Sequence, residues 1–283
     1  MIRTVMLALL FATTTAFQIL SVRDVQNSEV QSDKNSPAAL VAAVSTRAMT
    51  VSTRPLALVS ELFPDQFVFE DSVQALYHAI KLEEYNLSYH VFKYAMTGYF
   101  NLRQQGKLNN KKLISIIDFT KKSSLKRFYT IDLEALAVKF FTYVSHGKNT
   151  GENEAKSFSN VVHSNQSSIG FYVTGETYVG SKGYSLRLDG MEKGYNDHIR
   201  ERAVVIHNAE YVSENWIKQY GRLGRSQGCP ALPVELGRKI IDVVKNKTVI
   251  FAYASDDQYL GSSPILDATR LFPTLTASAK LSN

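Results

Sequence analysis

Cys229 is the only cysteine in 283 residues, and it lies in GRLGRSQGCPALP, Gly221 to Pro233, between a glycine and a proline. Those neighbours describe a tight loop that presents a side chain rather than a strand that buries one. A single cysteine cannot close an intrachain disulfide, so in an oxidising compartment it is either inert or a reagent. To react it needs a base, because the thiolate is the nucleophile and a free thiol with a pKa near roughly 8.5 is only slightly ionised at neutral pH. His207 is the best candidate among the six histidines. It closes the apolar run AVVI, so a sheet would fix its backbone while the ring emerges at the strand end. The interval from His207 to Cys229 is long enough for the chain to leave and return.

The elements that must position this pair follow from hydrophobic period. Met1 to Ala16 has Arg3, the apolar run Val5 to Phe11 and small residues up to Ala16, the pattern of a signal peptide, cleaved near Ala16 or kept as an N-terminal membrane anchor. Residues 17–55 read as a disordered linker, because Val22 to Pro55 carries no aromatic residue and no sustained apolar period. A helical region spans 56–110: Val73, Leu76, Tyr77 and Ile80 recur at helical spacing, as do Phe92, Ala95, Met96 and Tyr99. Asp71 or Ser72 would cap the first helix, Ser88 the second, and Gly106 would stop it. From 111 to 260 the period changes. LISIIDF, RFYTIDL and VKFFTYV read as antiparallel strands, with further strands at Ile169–Gly175, Gly183–Gly190, Arg202–Asn208 and Thr248–Tyr253. One helix should follow the cysteine loop, with Pro233 in its first turn and Leu236, Ile240 and Val243 on its buried face. Residues 261–283 form a tail. The fold class is mainly β within an α+β arrangement.

The net charge of +6 fits either simple solubility or attraction to the anionic polymers of a cell envelope. The basic residues are dispersed, which argues against nucleic acid. The histidines are scattered, with no His-x-His and no His-Glu-x-x-His, so no metal and no cofactor are expected. His78 and His90 read as packing or surface residues, His146 and His163 as structural loop residues, and His198 as surface.

IHN followed by SQGCPAL resembles the YkuD-type L,D-transpeptidases, whose pattern is a strand-end histidine and then a Ser/Thr-His-Gly-Cys loop. VSHGKNTG (Val144 to Gly151), FSN (Phe158 to Asn160) and SSIGFYVTGETYVGSKGYSLRLDG are similar to the murein L,D-transpeptidase catalytic domain branch, in which GRLGRS-x-GCPA is a specific motif. The resemblance covers about Ser88 to Tyr253. It implies an L,D-transpeptidase-like β-sandwich or barrel of mixed strands in an exported, periplasmic or envelope protein, with peptidoglycan stem peptides as partners and a monomer as the expected state. It also implies a cysteine acyl-enzyme: Cys229 attacks the third stem residue, terminal D-alanine leaves, and a neighbouring stem amine resolves the thioester into a 3-3 crosslink. His207 would act as base and then acid. Backbone N–H groups of Ser226, Gln227, Gly228 and Cys229 could form an oxyanion hole, and the Asn208 carbonyl could orient the His207 ring.

The chain departs from the family pattern at three places. Gln227 replaces the histidine of the Ser/Thr-His-Gly-Cys loop. Pro230 and Ala231 stand where an apolar residue and then Arg or Asn are usual, so Arg225 or Arg222 would have to supply a cation to a stem carboxylate. Asn208 replaces a glycine or serine, though its carbonyl still accepts a bond. Tyr184 is a candidate flap residue over the site, and Arg187 is either solvated, ion-paired or substrate-binding. An L,D-carboxypeptidase that uses water as acceptor, and a wall-binding module without turnover, fit the same residues. A papain-like or NlpC-like peptidase would place cysteine before histidine, the reverse of the order here.

Overall fold

The computed structural model describes residues 66–272. The expected signal peptide, the linker, residues 56–65 of the helical region and residues 273–283 of the tail lie outside the described residues. The helical region is a pair, α1 (Gln66–Ala79) and α2 (Tyr89–Gln104), joined by a 3-10 turn at Leu82–Tyr85. α1 is already helical at Gln66, the first described residue, so Asp71 and Ser72 are interior residues rather than caps. The Ser72 hydroxyl instead donates back to the Val68 carbonyl at 2.6 Å. Ser88 does precede α2 in extended conformation, although its side chain makes no capping bond. Gly106, at φ 68°, ends α2: its N–H bonds the Arg103 carbonyl and the Lys107 N–H bonds the Leu102 carbonyl. That pair of bonds satisfies two terminal carbonyls at a position where a left-handed residue is needed.

Eight strands follow: β1 (Leu113–Asp118), β2 (Phe128–Asp132), β3 (Ala137–Thr142), β4 (Gly170–Gly180), β5 (Gly183–Gly190), β6 (Val205–Asn208), β7 (Ala231–Leu232) and β8 (Val249–Tyr253). They form one mixed sheet in the order β3-β2-β1-β8-β4-β5-β6-β7. The β1–β2–β3 run is antiparallel as expected, but β1–β8 and β6–β7 are parallel. β6 starts at Val205 rather than Arg202, because Ala203 takes φ 51° and breaks the extended run. Three short helices join or follow the strands: α3 (Glu214–Tyr220), α4 (Val234–Val244) and α5 (Asp257–Ser262). α4 is the helix expected after the cysteine loop, with Pro233 at its N-cap. Its buried face is Gly237, Ile240, Ile241 and Val244, while Leu236 and Val243 lie half-buried at the edge of the core.

The helical pair and the sheet share one apolar core. α2 lies against β1 and β8, close enough at Gly98 that a Cβ there would stand 2.0 Å from Phe171 Cζ on β4. Phe171 cannot retreat: it is fully buried and stacked on Phe251 at 4.2 Å. Gly98→Ala therefore pits a helix-propensity gain of about 1 kcal/mol against overpacking of a rigid ring. Overpacking should win, lowering stability by about 1–3 kcal/mol, measurable as a lower midpoint in thermal or urea unfolding.

Candidate active site

Strand register sets the positions of the cysteine and the histidine relative to each other. β6 and β7 pair in parallel with His207 opposite Ala231, and the same register carried back two residues sets Cys229 beside Val205. The Val205 N–H points at Cys229 Sγ, 3.5 Å away. His207 is two residues further along the strand, so the Cα atoms of the pair are about 8 Å apart, within mutual reach of a cysteine and a histidine side chain. His207 is almost fully buried and Cys229 half-buried. The His207 Nδ1 lies 2.8 Å from the Asn208 carbonyl oxygen. A carbonyl can only accept, so Nδ1 carries the proton in the neutral ring and Nε2 is left as the bare acceptor.

β7 is too short to hold its own register, and hydrogen bonds in the preceding loop do that work. The Ser226 hydroxyl donates to the Cys229 carbonyl at 2.6 Å and accepts from the Gly228 N–H at 3.0 Å. Gly228 has φ 123°, and a Cβ there would stand 2.8 Å from the Gln166 carbonyl, so no other residue fits. On the far side from β6 runs the segment 145–148: the Ser145 N–H bonds the Ala231 carbonyl, the Ser226 N–H bonds the His146 carbonyl, and the Lys148 N–H bonds the Ser226 carbonyl. Beneath it stands a buried polar strut. Arg127 donates to the carbonyls of Lys121 and Val144 and, at 2.8 Å, to His146 Nδ1. His146 Nε2 donates to the Gly151 and Glu152 carbonyls at 3.2 and 3.1 Å. His146 is thereby a neutral structural residue, held at about 4 by burial and by the Arg127 charge.

The Ser226 N–H is taken by the His146 carbonyl and the Gly228 N–H by the Ser226 hydroxyl, so the oxyanion donors expected from this stretch narrow to the Gln227 and Cys229 amides, which make no such bond among the described residues. Gln227 itself is exposed. Ala231 is fully buried among Ala209, Val212 and Leu223, a setting with no room for the cationic or amide side chain of the wider pattern.

Burial pushes the Cys229 thiol up, opposed by the Val205 N–H and by the charges of Lys182 and Arg202. Burial likewise pulls His207 down, with Lys182 pulling the same way against the bond to Asn208. Both shifts favour the uncharged pair at rest. Tyr211, beside the thiol, is raised to about 12, mainly by burial, and stays neutral.

The expected substrate-binding residues are engaged elsewhere. Arg222 and Arg225 clamp Glu152 at 2.9 and 2.7 Å, and Arg225 also donates to the Lys148 and Gly151 carbonyls. Both therefore fasten the 148–152 loop to the cysteine loop. Arg187 pairs with Glu176 at 3.2 Å and lies 4.4 Å over the Tyr178 ring. The Tyr184 hydroxyl donates to Asp242 of α4 at 2.7 Å, with Arg238 over its ring, so it is tied to the helix rather than poised as a flap. Sequence reading had no view of these acidic partners. It also passed over Lys182, exposed in the β4–β5 turn, Arg202, and Tyr211. The GSKG turn beside a strand that pairs with β6 was the available signal for Lys182.

The sequence profile described as L,D-transpeptidase catalytic domain matches residues 83–253, more than half of the chain. No curated protein matches it. Among solved structures, the helical cell shape determining protein Pgp2 from Campylobacter jejuni is similar at 16% identity, over 57% of this chain and 57% of that one, with a TM-score of 0.35. An L,D-transpeptidase from Mycobacterium smegmatis is similar at 14% identity, over 51% and 59%, with a TM-score of 0.32. L,D-transpeptidase 3 from Mycobacterium tuberculosis is similar at 11% identity, over 51% and 62%, with a TM-score of 0.31. This chain spans less than two thirds of the length of each of these structures.

The strut under the site has a pH signature. His146 titrates near 6.5 when unfolded and near 4 in the fold, so the unfolded chain binds the extra proton first as pH falls. The stability it leaves intact above 6.5 is then lost progressively down to about pH 4, by about 3 kcal/mol in all. His146→Gln, which keeps one acceptor and one donor but cannot titrate, should flatten that acid slope in urea unfolding measured between pH 7 and 4. An unchanged slope would assign the acid sensitivity to other groups.

Proposed function

We propose that this chain, which belongs to the L,D-transpeptidase catalytic domain family, uses Cys229 as an acyl-transfer nucleophile on peptidoglycan stem peptides, with His207 as its base. The observation that supports this reading is the β6–β7 register, with a half-buried thiol at the Val205 N–H, two residues before a histidine whose Nδ1 is fixed on the Asn208 carbonyl and whose Nε2 is left as the acceptor. As Sγ approaches the carbonyl of the third stem residue, the thiol proton passes to Nε2, the S–C bond forms, and negative charge develops on the carbonyl oxygen. The amides of Cys229 and Gln227, which make no other hydrogen bond among the described residues, would donate to that charge. Collapse of the intermediate breaks the peptide bond to terminal D-alanine, whose nitrogen takes the proton back from His207. A side-chain amine of a second stem then attacks the thioester and regenerates the thiol, giving a 3-3 crosslink.

Export to the periplasm or cell envelope belongs to the same reading, because the substrate lies there. The apolar N-terminal run supports it. No helix among the described residues is long and apolar enough to cross a membrane.

Incubation of tetrapeptide muropeptides or sacculi with wild type and with Cys229→Ala, followed by mass spectrometry, tests the reaction. Dimers joined 3-3 in the wild-type digest alone are expected. Free tripeptides alone would reassign the acceptor to water, and identical profiles would overturn the reading. The same assay should show kcat/KM falling by about 10²–10⁴ in His207→Gln. Since burial holds His207 below 6.5, the acid limb of the wild-type profile should have its midpoint below pH 6.5, with activity lost as the ring becomes protonated.

A further inference from the structure

Arg202 precedes β6, and its guanidinium is half-buried against the cysteine loop: a Cβ on Gly228 would stand 3.2 Å from its Nη2. It donates to the Ser159 carbonyl at 2.6 Å, to the Ser164 hydroxyl at 3.1 Å, and to the Ser168 hydroxyl and Gln166 carbonyl. All four acceptors are neutral, and no carboxylate pairs with it among the described residues. The ionisable groups that act on it are the Tyr172 phenol, which burial keeps neutral, and Cys229. A partly buried cation without a counterion is unfavourable, and a neutral side chain could tie the same loop at less cost. The charge therefore needs a use, and the neighbouring anion that forms only during reaction is the Cys229 thiolate.

We propose that Arg202 is a positioning residue for the nucleophile: it fastens the 159–168 loop to the back of Gly228 and holds an uncompensated positive charge where the Cys229 thiolate develops. The inference rests on Cys229 being the nucleophile. The charged and titratable groups that interact with Cys229 are Lys182 from the β4–β5 turn, Arg202 from the segment before β6 and Tyr211 from the segment after it, with His207 two residues along the neighbouring strand. Two are cations, His207 and Tyr211 are neutral at rest, and none is an acid. Lys182 acts on the thiol more strongly than Arg202 but is exposed to solvent in the turn, whereas Arg202 is half-buried and fixed by hydrogen bonds against Gly228.

Alkylation by iodoacetamide reads the thiolate directly and needs no peptidoglycan: Sγ attacks the methylene carbon, the S–C bond forms, and iodide leaves. Cys229 is the sole cysteine, so the signal has one source. In Arg202→Gln the midpoint of the alkylation-rate pH profile should rise by about one unit, a tenfold slower reaction on the rising limb. Arg202→Lys, which keeps the charge and loses the fork, should stay within about half a unit of wild type. Circular dichroism and thermal unfolding establish whether each variant is folded. With Arg202→Gln folded, an unchanged midpoint, or an equal rise in both variants, overturns the inference. Should Arg202→Gln not fold, Arg202→Lys decides alone: a midpoint near wild type supports the role of charge, and a rise of about a unit overturns it. Either failure leaves the muropeptide assay untouched, so loss of this inference and loss of the transpeptidase reading are separately visible.

Discussion

The parallel pairing of His207 with Ala231 is the constraint from which the rest of the site hangs. A one-residue slip would turn the thiol or the imidazole to the opposite face of the sheet, and two paired residues are too few to resist a slip unaided. The protein supplies the resistance from outside the strand. Ser226 closes the loop on itself, Gly228 allows the left-handed turn that the closure requires, and the 145–148 segment holds the other edge. That segment is in turn supported by Arg127, a fully buried guanidinium whose donors are answered by carbonyls and by His146. Such a network is worth keeping only when nearly every polar group in it is satisfied, which explains why His146 must stay neutral.

Burial of this pair has opposing consequences. It excludes water and strengthens every local dipole, but it also raises the thiol and lowers the imidazole, so the ion pair is disfavoured at rest. The proton therefore moves most readily when a carbonyl carbon is there to receive the sulfur's electrons. Cations near the sulfur, with no acid to cancel them, lessen the cost of that moment without creating a permanently ionised thiol that oxidants would attack.

Most strands and the strand-end position of His207 were legible because they depend on local pattern: a histidine at the end of AVVI and β-branched runs between polar turns. β5 coincides with the expected Gly183–Gly190. The failures are all non-local. Asp71 and Ser72 had the chemistry of caps, but the helix already runs at Gln66, ahead of both. The partners of Arg222, Arg225 and Tyr184 were not legible, because Glu152 and Asp242 are distant in sequence, whereas the ion-paired role expected as one alternative for Arg187 is met by Glu176. Arg202 was hidden for the same reason, read as the first residue of a strand that Ala203 breaks.

The central claim is that Cys229 carries the acyl group, with His207 moving its proton. Intact-mass measurement of the protein mixed with a disaccharide tetrapeptide and quenched in acid tests this most directly. The account predicts an adduct equal to the donor less D-alanine, mapped to the peptide containing Cys229, strongly reduced in His207→Gln and absent from Cys229→Ala. No adduct under turnover conditions that trap thioesters, or one mapped to another residue, would contradict it.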